Sequence, residues 1–260
     1  MKKTTLIKND KPLSVKVAIG IPTTGQIRYE WHSAFNQILV PTSWLHGTFS
    51  PIGYQVAPAR NLIVEGALED GFEWVLFIDH DVILPQDFFI KMRGHMTSME
   101  SPVVSGVYYT KSSVPEPLIY RKSGQGPHYD WEPGDKVWAR GIGMGTTLIH
   151  ASILRNMQSP WFYTPNELVT DENGHVRGKM AGTEDLHWCE RVIQENIYEK
   201  AGWDPAPDPE NPFLVDTSIM CGHISQSSGK VYPDCMGDAH MVNHRAAQKA
   251  MKKYSRKSRE

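Results

Sequence analysis

The sequence predicts an α/β protein whose central sheet is mostly parallel and flanked by helices. The first third of the chain carries an apolar run at 15–22, a helical pattern at 58–68 and a second apolar run at 74–78. This strand–helix–strand order is the signature of a parallel sheet. The second run is apolar at every position and lies between Gly71 and Pro85, which is typical of a strand buried on both faces.

The composition is that of an ordinary globular protein. The 260 residues include 40% hydrophobic and 22% charged residues, and the formal net charge is −2. This balance argues against a surface that binds nucleic acid throughout, and the length allows one large domain or two small ones. The N-terminus is positive but lacks the apolar core of a signal peptide, and no stretch is long enough to span a bilayer. Three cysteines without a CxxC pair predict a reducing compartment and no disulfide framework, so we expect a soluble, cytoplasmic protein.

Glycine, proline and changes of hydrophobic period divide the chain into short elements. Proline in the first turn predicts helices near 58 and 85, and runs of β-branched or aromatic residues predict strands. Segments rich in glycine, proline and polar residues predict loops. In chain order we predict a strand at 15–22, helices at 31–40 and 58–68, a strand at 74–78, a helix at 85–96, strands at 103–109 and 117–121, a loop at 122–134, strands at 136–140 and 145–150, a helix at 151–157, an aromatic turn at 159–163, a mobile polar loop at 167–180, a helix at 184–193, an irregular segment at 202–212 and strands at 213–216 and 218–223.

Two aspartates, Asp79 and Asp81, follow the second apolar run. In an open α/β sheet, ligands bind beyond the carboxyl ends of the strands, so both side chains are expected at the edge of a binding crevice. Two carboxylates there suit a hard divalent cation that keeps open positions for the phosphates of a substrate. An acidic turn after a strand is the alternative, because aspartate is common in turns.

Three other segments carry candidate site residues. The turn Pro22-Thr23-Thr24 after the first strand offers amides and hydroxyls that can hold part of a nucleotide, or it simply ends the strand. The glycines of 141–145 have the wrong spacing for a dinucleotide fingerprint, but they allow the backbone to approach a ligand closely or to bend. Glu184 and Asp185 lie in the first turn of a helix that Thr183 can cap, where the helix dipole favours negative charge.

Four short motifs and one histidine occur in a recognisable order. They are Pro22-Thr23-Thr24, Ala59-Arg60-Asn61, Asp79-His80-Asp81, Thr183-Glu184-Asp185 and His223. The set resembles the glycosyltransferases of the GT-A fold, in the broad family-2-like group, over residues 15–223. The resemblance implies one Rossmann-like GT-A domain at 15–237, with a lead at 1–14 and a basic tail at 238–260. The compact chain is similar to the stand-alone enzymes of phages and bacteria, which implies the cytoplasm, or the host cytoplasm for a phage protein.

The resemblance also implies a role for each motif. Asp79, Asp81 and His223 would hold Mn²⁺ or Mg²⁺ on the diphosphate of a nucleotide-sugar donor such as a UDP-sugar, where the metal neutralises the leaving group. Asp185 would be the general base for the acceptor hydroxyl, with Glu184 as the alternative base or as a group that orients the acceptor. The residues that would bind the donor are Pro22, Thr23, Thr24, Arg60, His80, Gly143, Met144 and Gly145. The residues that would bind the acceptor are Trp161 and Gly182.

Several alternatives stay open at this point. The acceptor is a hydroxymethylated base in DNA, which the basic tail would suit, or a glycan or a small molecule, and both inversion and retention occur in this fold. The metal and the acidic pair also fit a metal-dependent nucleotidyltransferase, although the turn at 22–25 is a poor phosphate loop. A carbohydrate- or nucleic-acid-binding module is a further alternative. Cys221 and Cys235 beside His223 permit a structural zinc site.

Overall fold

The computed structural model describes residues 16–233, apart from 43, 123, 171–175, 181 and 205–207. The strands and helices of this part of the chain are, in order, β1 (Lys16–Gly20), α1 (Tyr29–Phe35), β2 (Leu45–Phe49), α2 (Val56–Glu69), β3 (Trp74–Phe77), β4 (Val82–Ile83), α3 (Phe88–Ser98), β5 (Val103–Val107), β6 (Ile119–Tyr120), β7 (Lys136–Ala139), β8 (Gly141–Ile142), β9 (Thr147–His150), α4 (Ala151–Arg155), β10 (Asn166–Thr170), β11 (Val176–Met180), α5 (Glu184–Gln194), α6 (Ile197–Lys200), β12 (Phe213–Met220), β13 (Gly222–Ile224) and β14 (Val231–Tyr232).

Seven strands form the central sheet, in the order β2-β1-β3-β9-β5-β12-β7. Strand β1 is parallel to both β2 and β3, and β5 is parallel to β12. Strand β9 is antiparallel to both β3 and β5, and β7 is antiparallel to β12. Five of the seven strands therefore point the same way, which confirms the prediction of an α/β fold with a mostly parallel sheet.

Strand β3 lies inside the sheet and is buried at every residue. Its side chains alternate between two cores: Val75 and Phe77 belong to one, and Trp74 and Leu76 belong to the other. Successive side chains of a strand point to opposite faces of the sheet. A strand covered on both faces has no polar face, which explains why this run is apolar at every position.

Helix α2 connects β2 to β3 and packs on the sheet. Ala59, Ile63 and Ala67 are fully buried. A Cβ atom at Gly20 of β1 would overlap the Ile63 side chain, so this glycine lets the helix approach the sheet closely. The close packing holds Arg60, which belongs to the same helix, next to the carboxyl end of β3.

A second sheet has three short strands in the order β14-β13-β4, and β4 follows directly after β3 in the chain. Strands β4 and β13 are antiparallel, and His223 pairs with Val82. The Ile224 N–H also donates to the Asp81 carbonyl at 2.7 Å. Backbone pairing therefore brings a residue near the end of the described chain next to the Asp79-His80-Asp81 segment.

The structure differs from the sequence prediction in several places, and the short elements β4, β8, α6 and β14 were not predicted. No strand is predicted where β2 lies, because this edge strand is partly exposed along its length and Gly47 interrupts its apolar pattern. Helix α1 ends early, at Phe35, where the chain leaves the helix in a turn. The predicted loop at 167–180 contains the antiparallel hairpin β10–β11. The predicted strands at 213–216 and 218–223 form one continuous strand, β12, followed by β13; the other predicted elements have ends shifted by at most three residues.

Some predictions fall outside the described residues. These are the lead at 1–14, the basic tail at 238–260 and Cys235, so the domain boundaries and the zinc alternative stay predictions. Within the described residues, Cys189 and Cys221 are buried free thiols. No helix in the same part of the chain is both long and apolar enough to cross a membrane.

Asp216 of β12 accepts a buried hydrogen bond from His95 of α3. The Asp216 Oδ2 atom lies 2.8 Å from His95 Nε2, and Oδ1 accepts the Ser218 N–H at 2.9 Å. Burial raises the pKa of Asp216, but the hydrogen bonds from His95 and Ser218 outweigh it and lower the pKa to about 2.

We expect the Asp216 carboxylate to stabilise the fold above about pH 4 and to lose this effect as the pH falls to about 2. An aspartate in the unfolded chain titrates near pH 3.9, so the unfolded state binds more protons in this window. Between about pH 5 and pH 2.5, the free energy of unfolding should fall by on the order of 2 kcal/mol more in the wild-type protein than in Asp216→Asn. Urea titrations at the two pH values measure this difference. An equal fall in both proteins would contradict the assignment.

Candidate active site

The backbone of Asp79 is fixed from three sides where β3 ends. Its N–H donates to the Gly145 carbonyl at 3.0 Å, and its carbonyl accepts the Val82 N–H at 3.0 Å. The same carbonyl accepts the indole N–H of Trp31 at 3.0 Å. The bend after the strand is thereby held by α1 and by the glycine-rich segment before β9, and the Asp79 and Asp81 side chains border the same cavities.

Arg60 lies between two acids of the predicted site and is only 2% exposed. Its Nη2 atom is 3.0 Å from Asp79 Oδ1 and 3.1 Å from Asp79 Oδ2, and its Nε atom is 3.4 Å from Glu184 Oε1. Burial raises the pKa of both Asp79 and Glu184, and the Arg60 charge opposes this rise without cancelling it. Arg60 therefore acts as the internal counter-charge of two buried carboxyl groups, in addition to lining the larger cavity described below.

Nitrogen atoms of two side chains approach the same carboxylate oxygen of Asp81. Its Oδ2 atom lies 2.5 Å from Lys111 Nζ and 3.5 Å from His223 Nε2. The His223 Nδ1–H donates to the Tyr109 carbonyl at 2.6 Å, so in the neutral imidazole the lone pair belongs to Nε2 and faces Asp81. Burial raises the pKa of Asp81, but the protonated form of His223, together with Lys111, outweighs burial and holds this pKa well below its usual range.

The geometry suits a divalent cation at Asp81 and His223. Two ligand atoms held about 2.1 Å from one ion lie roughly 3 to 4 Å apart, which matches the Asp81–His223 separation. Asp79 is turned towards Arg60, and its buried Oδ1 atom lies in the ion pair but accepts no hydrogen bond from the residues that the structure describes. Consistent with this orientation, no group of three His, Cys, Asp or Glu side chains in the described ranges is gathered to hold a metal. A cation held by this pair would have two protein ligands, and its remaining positions would be open to a substrate.

The two acids of α5 have different environments. Glu184 is buried and tied to Arg60, whereas Asp185 is half-buried. The Asp185 Oδ1 atom accepts the Thr183 hydroxyl and the Leu186 N–H. Thr183 is the N-cap residue by its extended backbone, but its side chain makes no capping bond, so this part of the cap prediction was wrong. The hydroxyl orients Asp185 instead.

Two adjoining cavities meet at the aspartates, since both are lined by Val56, Asp79 and Asp81. The smaller one, about 220 Å³, will be called the turn cavity, because the turn after β1 forms part of its wall. Its other lining residues are Pro22, Thr23, Thr24, Tyr54 and His80. The larger one, about 420 Å³, will be called the acid cavity. Its other lining residues are Arg60, Tyr108, Thr110, Lys111, Leu118, Tyr120, Thr183, Glu184, Asp185, Leu186 and His223.

The comparisons with known proteins bear on this architecture. No protein-family model and no curated protein matches the chain. Among solved structures, A197 from STIV superposes with a TM-score of 0.52 and 20% sequence identity, over 82% of this chain and 86% of A197. The structure of GalNAc-T7 with UDP, GalNAc and Mn²⁺ superposes with a TM-score of 0.50 and 8% identity, over 85% of this chain but only 45% of that chain.

The chain has the GT-A fold. In this GT-A fold, the cavities contain most of the residues that the sequence predicted to act together, including the acid pair and the Asp-x-Asp segment. The sequence did not single out Lys111, Tyr108 or Tyr54. No motif marks these three residues, because only the folded chain brings them to the cavities.

Gly143, Met144 and Gly145 were predicted to bind the donor, but they line neither the turn cavity nor the acid cavity. All three are buried beneath the site. The Tyr108 hydroxyl accepts the Gly145 N–H at 2.9 Å, and a Cβ atom at Gly143 would overlap this hydroxyl. The glycines therefore permit a close approach of Tyr108, which supports the site from below.

Trp161 and Gly182 were predicted to bind the acceptor, and they also lie outside both cavities. The Trp161 indole N–H donates to the Leu154 carbonyl at 2.8 Å, and the ring packs against the core. Beside it, Asn61 exchanges two hydrogen bonds with the Phe162 backbone, at 2.7 and 2.9 Å. The asparagine of the Ala-Arg-Asn motif thus attaches this aromatic turn to α2.

We expect Gly145→Ala to destabilise the fold by about 1–3 kcal/mol, the usual effect of overpacking. The new Cβ atom would lie 2.9 Å from Asp79 Oδ2 and 3.0 Å from the Tyr108 hydroxyl, so one of these side chains must move. Gly94→Ala is the matched control, because its Cβ atom meets nothing within 4 Å and alanine favours the helix. Urea unfolding of both variants measures the difference, and equal stabilities would contradict the tight fit at Gly145.

Proposed function

We propose that the chain is a metal-dependent glycosyltransferase that moves a sugar from a nucleoside diphosphate sugar, such as a UDP-sugar, to an acceptor hydroxyl. One observation carries the proposal: Asp81 borders both the turn cavity and the acid cavity, and His223, whose Nε2 atom lies 3.5 Å from Asp81 Oδ2, lines the latter. A metal-bound diphosphate at this junction would extend its nucleoside into one cavity and its sugar into the other. The GT-A fold supports this arrangement.

The turn cavity has the chemistry of a nucleoside site. Thr23 and Thr24 offer hydroxyl and backbone groups, and Tyr54, which is 54% exposed, offers a ring face on which a base can stack. The His80 Nδ1–H donates to the Pro22 carbonyl at 3.0 Å, so the neutral ring has Nε2 as an acceptor. Donors and acceptors are thus available beside an apolar ring, as nucleoside recognition requires.

Asp81 and His223 would hold Mn²⁺ or Mg²⁺, which acts as a Lewis acid on the diphosphate and makes it a better leaving group. Lys111 adds a further positive charge at the same place. Arg60 is enclosed by its ion pairs with Asp79 and Glu184, so we assign it to the positioning of these acids.

Asp185 is the proposed general base. Within the described residues, hydrogen bonds reach its Oδ1 atom, which leaves Oδ2 for the acceptor hydroxyl. In the proposed step, Asp185 accepts the hydroxyl proton, the acceptor oxygen bonds to the anomeric carbon, and the bond from that carbon to the diphosphate oxygen breaks. Nucleoside diphosphate leaves with the bonding electrons. This direct displacement inverts the anomeric centre. Glu184 is unsuited to the role because it is committed to Arg60.

A donor panel tests the proposal. The protein is incubated with nucleotide sugars, with and without Mn²⁺, and both thermal stabilisation and nucleoside diphosphate release are followed. We expect Mn²⁺-dependent stabilisation by one donor and slow release of its nucleoside diphosphate. Pyrophosphate release from a nucleoside triphosphate and a sugar phosphate would indicate the nucleotidyltransferase instead, and sugar or nucleic-acid binding without any turnover would indicate a binding module.

Asp185→Asn separates binding from chemistry. We expect this variant to bind the donor like the wild-type protein but to transfer sugar about 10²- to 10⁴-fold more slowly. Glu190→Gln is a suitable control, because Glu190 lies on the same helix but pairs with Arg140 away from the acids. Acceptors are then screened as glycans, small molecules and hydroxymethylated DNA, and NMR of the product reports inversion or retention.

A further inference from the structure

Lys111 is the one cation of the acid cavity that is partly open to solvent. It lies two residues after Tyr109, whose carbonyl orients His223, and its side chain is 34% exposed. Arg60, the other cation of the acid cavity, is 2% exposed and fixed between two acids. Lys111 by contrast makes one ion pair within the described part of the chain, to Asp81, from a loop outside the regular strands.

Lys111 and the proposed metal need the same oxygen atom. The ammonium contacts Asp81 Oδ2 at 2.5 Å, and this atom is also the one that faces His223 Nε2. A divalent cation between Asp81 and His223 would lie within a few ångströms of the ammonium, where two positive charges repel strongly in a partly buried site. The two cations therefore compete for Asp81.

A bound diphosphate would remove the competition between Lys111 and the metal for Asp81. It brings negative charge and acceptor oxygens to the junction, and the flexible four-carbon chain of lysine lets the ammonium move between acceptors. Arg60, the other cation of the acid cavity, cannot move between acceptors in this way because it is buried.

We propose that Lys111 neutralises Asp81 while the site is unloaded and transfers to the donor's diphosphate on loading, so that the divalent cation binds tightly only together with the donor. This inference rests on the proposed function. Lys111 then binds the donor in the loaded site and weakens the binding of metal when no donor is present. The coupling is reciprocal, because a group that makes the metal depend on the donor makes the donor depend on the metal to the same extent.

Mn²⁺ binding to Lys111→Met tests the inference without any need for turnover. Free Mn²⁺ is measured by electron paramagnetic resonance during titration with MnCl₂, and UDP affinity is measured by calorimetry at saturating Mn²⁺. We expect Lys111→Met to bind Mn²⁺ alone about tenfold more tightly than the wild-type protein and to bind UDP about tenfold more weakly. Lys111→Arg keeps the charge and should behave like the wild-type protein in the first titration.

Lys136→Met is the matched control, because this lysine pairs with Glu100 on the surface and is 50% exposed. It should leave both affinities unchanged, and thermal melts show that the variants are folded. Unchanged Mn²⁺ affinity in Lys111→Met, or unchanged UDP affinity, would overturn the role of Lys111 but leave the proposed function standing. If neither Mn²⁺ nor UDP binds to any of the proteins, both proposals fail.

Discussion

Asp81→Asn is expected to slow metal-dependent sugar transfer by at least about 10³-fold, because Lewis-acid stabilisation by a bound metal contributes several kcal/mol. Asparagine keeps the shape of the side chain but removes the negative charge that faces Lys111 and His223. Lys111 then repels the divalent cation, and His223 alone is left to hold it. Initial rates at saturating donor, over a series of Mn²⁺ concentrations, measure the effect.

The control for Asp81→Asn is Asp87→Asn, which removes an acid that is 46% exposed and paired with Lys91 within α3 and its N-terminal turn. This variant should keep the wild-type rate. Thermal melts should show that both proteins remain folded at the assay temperature, so that a loss of rate cannot come from unfolding. A rate for Asp81→Asn within tenfold of the wild-type value would exclude this aspartate as a metal ligand.

Arg60→Met is expected to destabilise the fold by about 3–5 kcal/mol, the usual effect of removing one partner from a buried ion pair. The substitution leaves Asp79 and Glu184 buried without their counter-charge. Urea unfolding at neutral pH measures the loss. Arg121→Met is the surface control, because Arg121 is 43% exposed and its pair with Asp208 should contribute no more than about 1 kcal/mol.

The loss in Arg60→Met should also depend on pH. Burial already raises the pKa of Asp79 and Glu184 in the presence of Arg60, and both values should rise further without it. Acids whose folded-state pKa is raised bind protons on folding, so the deficit should shrink as the pH falls and grow as it rises. Adding Glu184→Gln should restore part of the stability at neutral pH. A deficit that is independent of pH would show that lost packing, rather than uncompensated charge, explains the change.

The sequence predicted the fold well because its strongest signals are local. A strand covered on both faces must be apolar throughout, so the run that became β3 was visible without any neighbour. Strand β2 was missed because an edge strand that is partly exposed has no such pattern. Local sequence signals also predicted that the acids lie at the end of β3 and at the start of α5.

The pairing of the site residues depends on tertiary structure and was only partly foreseen. The sequence marks Arg60 as part of a motif, but its burial between Asp79 and Glu184 follows from the packing of α2 on the sheet. Lys111 lies in a polar loop segment with no distinguishing neighbours, so it was missed. The glycines of 141–145 were assigned to the ligand, whereas the close contact that requires them is with Tyr108 and Asp79.

The three-stranded sheet that brings His223 beside Asp81 has a consequence for biosynthesis. Strand β4 is made early, but its partner β13 comes almost at the end of the described chain. During translation the Arg60–Asp79 pair can form early, because both residues lie in the first third of the chain. The Asp81–His223 pair can form only after β13 has left the ribosome. A nascent chain that ends before β13 therefore lacks His223, one of the two residues proposed to hold the metal.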